Sequence, residues 1–211
     1  MFLNENIVLS SSISPNNNTK NITRRLTNTE KSAFTIEGFL KDVLIGTILG
    51  DAHMRKFSLA TSKCNARVRF LQSLAQADFI YHLYELFKIY CASPPTKGSS
   101  LIKETGNIRH NISFATRNLP CFNELYSLFY ANRVKIIPSN IMELLTPVSL
   151  AYWIMGDGSW TGSGLKLHTN SYTKEEVNLL IYTFYALKNI SFVPRHKPKN
   201  RKPQTSHYPV T

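Results

Sequence analysis

Two short apolar runs in this chain end in the same way. Leu44-Ile-Gly-Thr-Ile-Leu-Gly-Asp-Ala52 and Leu150-Ala-Tyr-Trp-Ile-Met-Gly-Asp-Gly158 share leucine at the first place, isoleucine at the fifth and Gly-Asp at the seventh and eighth. One apolar helix ending in an aspartate that caps a turn is commonplace; two in matching register form a repeat. Gly46 and Gly50 lie one helical turn apart, the spacing that lets helix backbones approach closely. Each run is far shorter than the ~20 residues that span a bilayer, so a buried pair of helices is expected. Gly46 and Gly50 on one helix and Ala151 and Gly156 on the other should form their interface. Tyr152 replaces the first small residue in the second run and weakens the symmetry of that contact.

The acids at the ends carry the chemistry. A carboxylate in a helix's last turn opposes the macrodipole by ~0.3–1 kcal/mol, so a positive group should compensate. If the helices run parallel, Asp51 and Asp157 arrive together beside backbone carbonyls. Clustered hard oxygens of this kind are ligands for Mg²⁺ or another divalent ion.

The remaining composition narrows the partners. Lys and Arg number 25 against 13 acids, a net charge of +12 with a pI near 9.7, which calls for a polyanion. Charge alone leaves open nucleic acid, a ribosome-like particle or a membrane surface. Cys64, Cys91 and Cys121 are isolated, with no C-x-x-C pair, so neither a disulfide framework nor a zinc site is expected. No segment reads as a membrane span or signal peptide.

Along the chain, residues 1–34 are rich in Ser, Asn and Thr and read as a disordered leader. A first helix is expected over residues 36–50 with Thr35 as N-cap. In Asn65-Ala-Arg-Val-Arg-Phe70, Arg67 and Arg69 share one face and Val68 and Phe70 the other, the period of a strand. Residues 107–117 repeat it, with Ile108, Ile112 and Phe114 inward and Arg109, Asn111, Ser113 and Arg117 outward. Phe79, Leu83, Leu86, Phe87 and Tyr90 fall at helical spacing between them, and another helix should follow Pro120. The order is helix, two strands, helix, two strands, helix, filling residues 35–145.

A second unit, residues 146–190, restarts at Thr146-Pro147. Residues 164–170 alternate again and place Lys166, His168 and Asn170 on one face. Thr173-x-x-Glu176 reads as a capping box, starting a helix with the stripe Val177, Leu180, Ile181, Phe184 and Leu187. An antiparallel sheet with helices on one face leaves Arg, Lys, His and Asn on the other, and such a face can read the major groove. Lys56 extends this face, and His53 is expected to start a strand and face the groove. His82 reads as an ordinary histidine beside core positions.

The nonapeptides resemble the LAGLIDADG motif of homing endonucleases. The similarity continues through Arg69-Phe-Leu-Gln72, Phe114-Ala-Thr-Arg117, Ile136-Ile-Pro138, Leu145-Thr-Pro147 and Thr169-Asn-Ser-Tyr-Thr173, over about residues 36–190. It resembles the double-motif, intron-encoded members of organelle genomes. The resemblance implies an α+β fold of two pseudo-symmetric αββαββα halves with antiparallel sheets, in a monomer of mitochondrial origin. It implies hydrolysis of double-stranded DNA with Mg²⁺ held by Asp51, Asp157 and the carbonyls of Gly50 and Gly156. The family's water-positioning lysine and glutamine fall on Lys135 and Gln72. The alternative within this family is an RNA-binding maturase that assists splicing of a group I intron.

The sequence departs from that pattern late. The second unit has room for fewer elements than the first, and residues 194–211 hold four prolines and five Lys or Arg without an acid. The second half is therefore expected to be incomplete, with residues 191–211 a basic, Pro-rich tail, and the chain could be a truncated, inactive remnant.

Overall fold

A helix apolar on every side belongs between layers rather than on a surface. In the computed structural model, which describes residues 24–57, 64–101, 106–162 and 164–188, α2 (Gly38–Leu49) is such a helix: Val43 through Leu49 are all buried. It starts later than expected. Glu37 takes the N-cap position without a side-chain bond, and Thr35 instead offers its carbonyl to Tyr90 Oη at 2.7 Å.

The partner of α2 is α6 (Pro147–Asp157), begun by Thr146 and Ser149 as a reciprocal capping box, with proline in its first turn. Thr146 Oγ1 also donates to Asp42 Oδ2 at 2.9 Å, tying the start of one motif helix to the other. A Cβ placed on Gly46 would stand 2.1 Å from the Ser149 carbonyl oxygen, and one on Gly50 3.5 Å from Trp153 Cδ1. The helices therefore run in the same direction. This corrects one interface residue: Ala151 is exposed, and Ser149, fully buried, receives Gly46.

The first half follows the expected order. A four-stranded antiparallel sheet in the order β1-β2-β4-β3 joins β1 (His53–Arg55), β2 (Arg67–Ser73), β3 (Thr96–Leu101) and β4 (Ile108–Ala115). α3 (Ala77–Phe87) covers its inner face, and α4 (Asn123–Phe129) closes the half. Met54, Val68, Phe70, Ile112 and Phe114 point inward. Phe70 stacks on Phe114 at 4.6 Å and on Phe87 at 5.3 Å between centroids. Ile108 does not join them: it is 63% exposed and pairs with the equally exposed Leu101, because this end of the sheet runs past the helices.

Between the halves, β5 (Tyr130–Ala131) and β6 (Val134–Lys135) form a tight hairpin. Asn132 and Arg133 turn it with φ of 49° and 66°, as two-residue hairpin turns of this type require. The short α5 (Ile141–Leu144) leads into α6. The second half continues with β7 (Gly158–Trp160), β8 (Leu165–Leu167) and α7 (Lys174–Lys188). Trp153 is buried against Phe184. The Thr173–Glu176 capping box forms as expected, and Val177, Leu180 and Phe184 are buried. β8 ends at Leu167, so His168 leaves the strand and Asn170 sits in the turn before α7; the basic face is shorter here than alternation implied.

The leader also needs a correction. α1 (Asn28–Ser32) begins with a Thr27–Glu30 capping box, Arg24 pairs with Glu30, and Leu26 and Phe34 pack against the core. Residues 1–23 and the tail over 191–211 lie outside the described residues.

Candidate active site

The parallel seam delivers the acids to one place. A Cβ on Gly50 would meet Asp157 Cβ at 3.5 Å, and one on Gly156 would meet Asp51 Oδ2 at 4.0 Å. This reciprocity is a pseudo-two-fold relation: each glycine leaves room for the other helix's aspartate. Gln72, at the end of β2, donates from Nε2 to Asp51 Oδ2 at 2.5 Å.

A helix end exposes unsatisfied carbonyls, and α2 fills these with side chains. Lys135 Nζ donates to Ile48 O at 2.7 Å and to Gly50 O at 2.8 Å. Tyr172 Oη donates to Leu49 O at 2.9 Å. Lys135 is thus the positive group that the dipole argument demanded. Its burial pulls its pKa down to about 8, opposed by the nearby charges of Asp157 and Asp51. Burial pushes Asp157 up to about 6, and Asp51 adds to this, while His168 and Lys135 act against it. Asp157 is therefore less favourably charged here than in water.

These donors fit a hard divalent cation. No group of three His, Cys, Asp or Glu that could hold a metal occurs among the described residues; the oxygens brought together here are the carboxylates of Asp51 and Asp157 beside the helix-end carbonyl of Gly50. Oxygen donors of this sort suit Mg²⁺, Mn²⁺ or Ca²⁺ rather than zinc. The Gly50 carbonyl has a second lone pair beyond its bond to Lys135.

On β1 and β2 the basic residues fall on one face of the sheet. Register pairs His53 with Arg69 and Arg55 with Arg67, placing all four on the side away from the core. Arg55 and Arg67 both lie over the Phe57 ring, at 5.0 and 5.5 Å from its centroid. Arg109 is exposed, and Lys56 and Lys166 are half-buried. Asn111 lies over Gly98 on the neighbouring strand, where a Cβ would approach its Oδ1 to 2.9 Å. Arg117 stands apart from this face: it donates to the carbonyls of Arg24 at 2.8 Å and Cys91 at 3.4 Å, and so ties loops together. His53 is held below its ordinary pKa by burial and by Lys135, Arg55 and Arg69. His168 donates its backbone N–H to Asp157 O at 3.4 Å.

Two residues at the site carried no signal in their spacing, and a third, Glu176, signalled only its capping box. Tyr172 lies within a stretch that carries the family resemblance, but no periodicity marked its hydroxyl. Tyr130 Oη accepts from Met54 N at 2.9 Å and sits 3.4 Å from His53 Nδ1. Glu176 reaches beyond its capping box to Ile137 N at 3.0 Å.

The model of the LAGLIDADG DNA endonuclease family matches residues 41–202. The chain belongs to this family. LAGLIDADG endonucleases use divalent metals. A cytochrome b mRNA maturase bI2 of Debaryomyces hansenii is 34% identical over 142 residues, covering 66% of this chain and 53% of the maturase. A probable intron-encoded endonuclease of Wickerhamomyces canadensis is 31% identical over 163 residues, covering 72% of this chain and 67% of that protein. Among solved structures, the homing endonuclease I-WcaI bound to its DNA recognition sequence aligns with a TM-score of 0.66 at 29% identity, covering 75% of this chain and 72% of that one. The α+β architecture of this LAGLIDADG chain is that of the neighbour. The chain spans about half the length of the Debaryomyces maturase and 36% of its Saccharomyces cerevisiae counterpart.

Proposed function

We propose that this LAGLIDADG chain is a site-specific endonuclease of double-stranded DNA, intron-encoded and acting in mitochondria as a monomer. The meeting of Asp51 and Asp157 at the ends of two parallel helices carries this reading. Mg²⁺ would be held by both carboxylates with the carbonyls of Gly50 and Gly156. When bound, such an ion lowers the pKa of water and stabilises a leaving oxygen. The chain's own part is positional. Gln72 fixes the Asp51 carboxylate through Nε2. Lys135 keeps an ammonium beside both acids, where it offsets their repulsion and the charge developing on a phosphate. Arg55, Arg67, Arg69, Arg109, Asn111 and Lys166 face the duplex, with Lys56, His168 and Asn170 at the margins. Arg117 serves by holding loops.

The test is incubation of duplex DNA spanning the uninterrupted intron-insertion junction with protein and Mg²⁺, comparing the natural chain with Asp51→Asn and Asp157→Asn. Both variants should bind and fail to cut. Cleavage surviving both substitutions would end the proposal. The two bI2 relatives favour a second reading, binding of group I intron RNA as a maturase. Splicing assistance that persists in both Asn variants, without DNA cleavage by the natural chain, would select it.

A further inference from the structure

The segment that opens α7 belongs to the second half but grips the first. Tyr172, 1% exposed, holds the Leu49 carbonyl. Glu176 uses both its carboxylate oxygens: Oε2 accepts from Thr173 N at 2.6 Å, which completes the capping box, and Oε1 accepts from Ile137 N at 3.0 Å. A capping box needs only the first of these bonds. The second reaches the backbone two residues beyond Lys135.

That backbone needs an anchor. β5 and β6 have two residues each, and an isolated hairpin is marginal in water even at greater length. Its turn places Asn132 and Arg133 at positive φ, which asparagine tolerates but which costs energy at Arg133. On one side Ile136 N donates to Phe129 O at 2.8 Å; on the other stands Glu176.

We propose that Glu176 is a positioning residue for the first half's site, fixing the Ile137 amide so that Lys135 Nζ stays against Ile48 O and Gly50 O. Tyr172 assists by holding the carbonyl between those two. Each half would then complete the other: the second half supplies Asp157 and also sets the lysine that stands beside Asp51. The consequence for catalysis rests on the nuclease reading above; the consequence for Lys135 does not.

The experiment compares Glu176→Ala, Glu176→Gln and Thr173→Ala in the full chain. Thr173→Ala removes the Oγ1 that accepts from Glu176 N at 3.3 Å, weakening the start of α7 but sparing the bond to Ile137. Amine acetylation of the native protein, read by mass spectrometry, should show Lys135 reacting far more slowly than the exposed Lys97 in the natural chain and in Thr173→Ala. In Glu176→Ala, Lys135 should react like Lys97, with Glu176→Gln between, because its amide keeps one acceptor oxygen. Cleavage by Glu176→Ala at saturating protein should fall about 10²-fold, with the concentration for half-saturation of DNA unchanged. Lys135 equally protected in Glu176→Ala and the natural chain would overturn the proposal, as would equal losses of cleavage in Glu176→Ala and Thr173→Ala. Should Glu176→Ala fail to fold, the glutamine variant's acetylation decides. If the natural chain cuts no duplex, the nuclease reading falls and acetylation alone judges the positioning.

Discussion

The sheets of the two halves hang from the same helix pair, but one is a four-stranded sheet and the other a two-stranded hairpin over the described residues. Register places them on a common scale. His53 pairs with Arg69 and Ser159 with Lys166, each first partner lying two residues past its aspartate. Arg69 and Lys166 are therefore counterparts, as are Phe70 and Leu167. The symmetry is kept at Gly50, Gly156 and the two acids, where a Cβ would find ordinary contact distances. It relaxes within one turn, because Gly46 meets Ser149 whereas Tyr152, its counterpart by motif, stacks on His82 with its hydroxyl 2.8 Å from Nε2. The tightest backbone contact of the seam is thus its least symmetric one, and symmetry is kept where the acids meet.

The largest difference between the halves should come from their sheet cores. Phe70→Ala removes a ring stacked between two others and should cost about 3–5 kcal/mol in denaturant unfolding, against about 2 kcal/mol for Leu167→Ala. Equal losses would mean that the short hairpin is packed as tightly as the long sheet. Next comes the seam itself. A Cβ on Gly46 collides with backbone, whereas one on Gly50 finds ordinary contact distance. Gly46→Ala should lose about 3 kcal/mol and Gly50→Ala under about 1 kcal/mol, an ordering that melting temperatures would expose.

A smaller effect separates the acids. The folded-state pKa of Asp157 is raised to about 6, so its charged form is less favourable folded than unfolded. This penalty is full above about pH 6 and fades as pH falls toward the ordinary value near 4. In EDTA at pH 7.5, Asp157→Asn should therefore stabilise the protein by on the order of 1 kcal/mol, allowing for solvent screening, and by almost nothing at pH 4. Asp51→Asn should gain less, because it also weakens the bond from Gln72. The smallest contrast lies on the basic face. Arg69→Ala and Lys166→Ala should each lower the slope of log affinity against log salt by about 0.9, and unequal slopes would show that the duplex sits off the pseudo-symmetric axis.

What could be read from the chain follows from where patterns are forced. The motif helices were legible because one nonapeptide is written twice, and the inward residues of β2 and the stripe of α7 because one face of each is buried and repeats at a fixed period. Thr96–Leu101 was not, since every residue of this edge strand is exposed and alternation carries no meaning there. Ile108 misled for a related reason: its parity was right, but it lies at an end of the sheet where Leu101 opposite is equally exposed. At the site, the acids were named through the repeat, and Gln72 and Lys135 through the family resemblance. The hold of Lys135 and Tyr172 on the end of α2, and of Glu176 on the Ile137 amide, depends on a hairpin and a turn brought together from distant parts of the chain, and no local spacing encodes it.

The bond between Thr146 and Asp42 joins residues 104 positions apart. Contacts of such long range form late, because closing the intervening loop is entropically costly. On the ribosome, the first sheet can be complete while Asp51 still lacks Asp157, so the pair of carboxylates is assembled only after α6 has emerged.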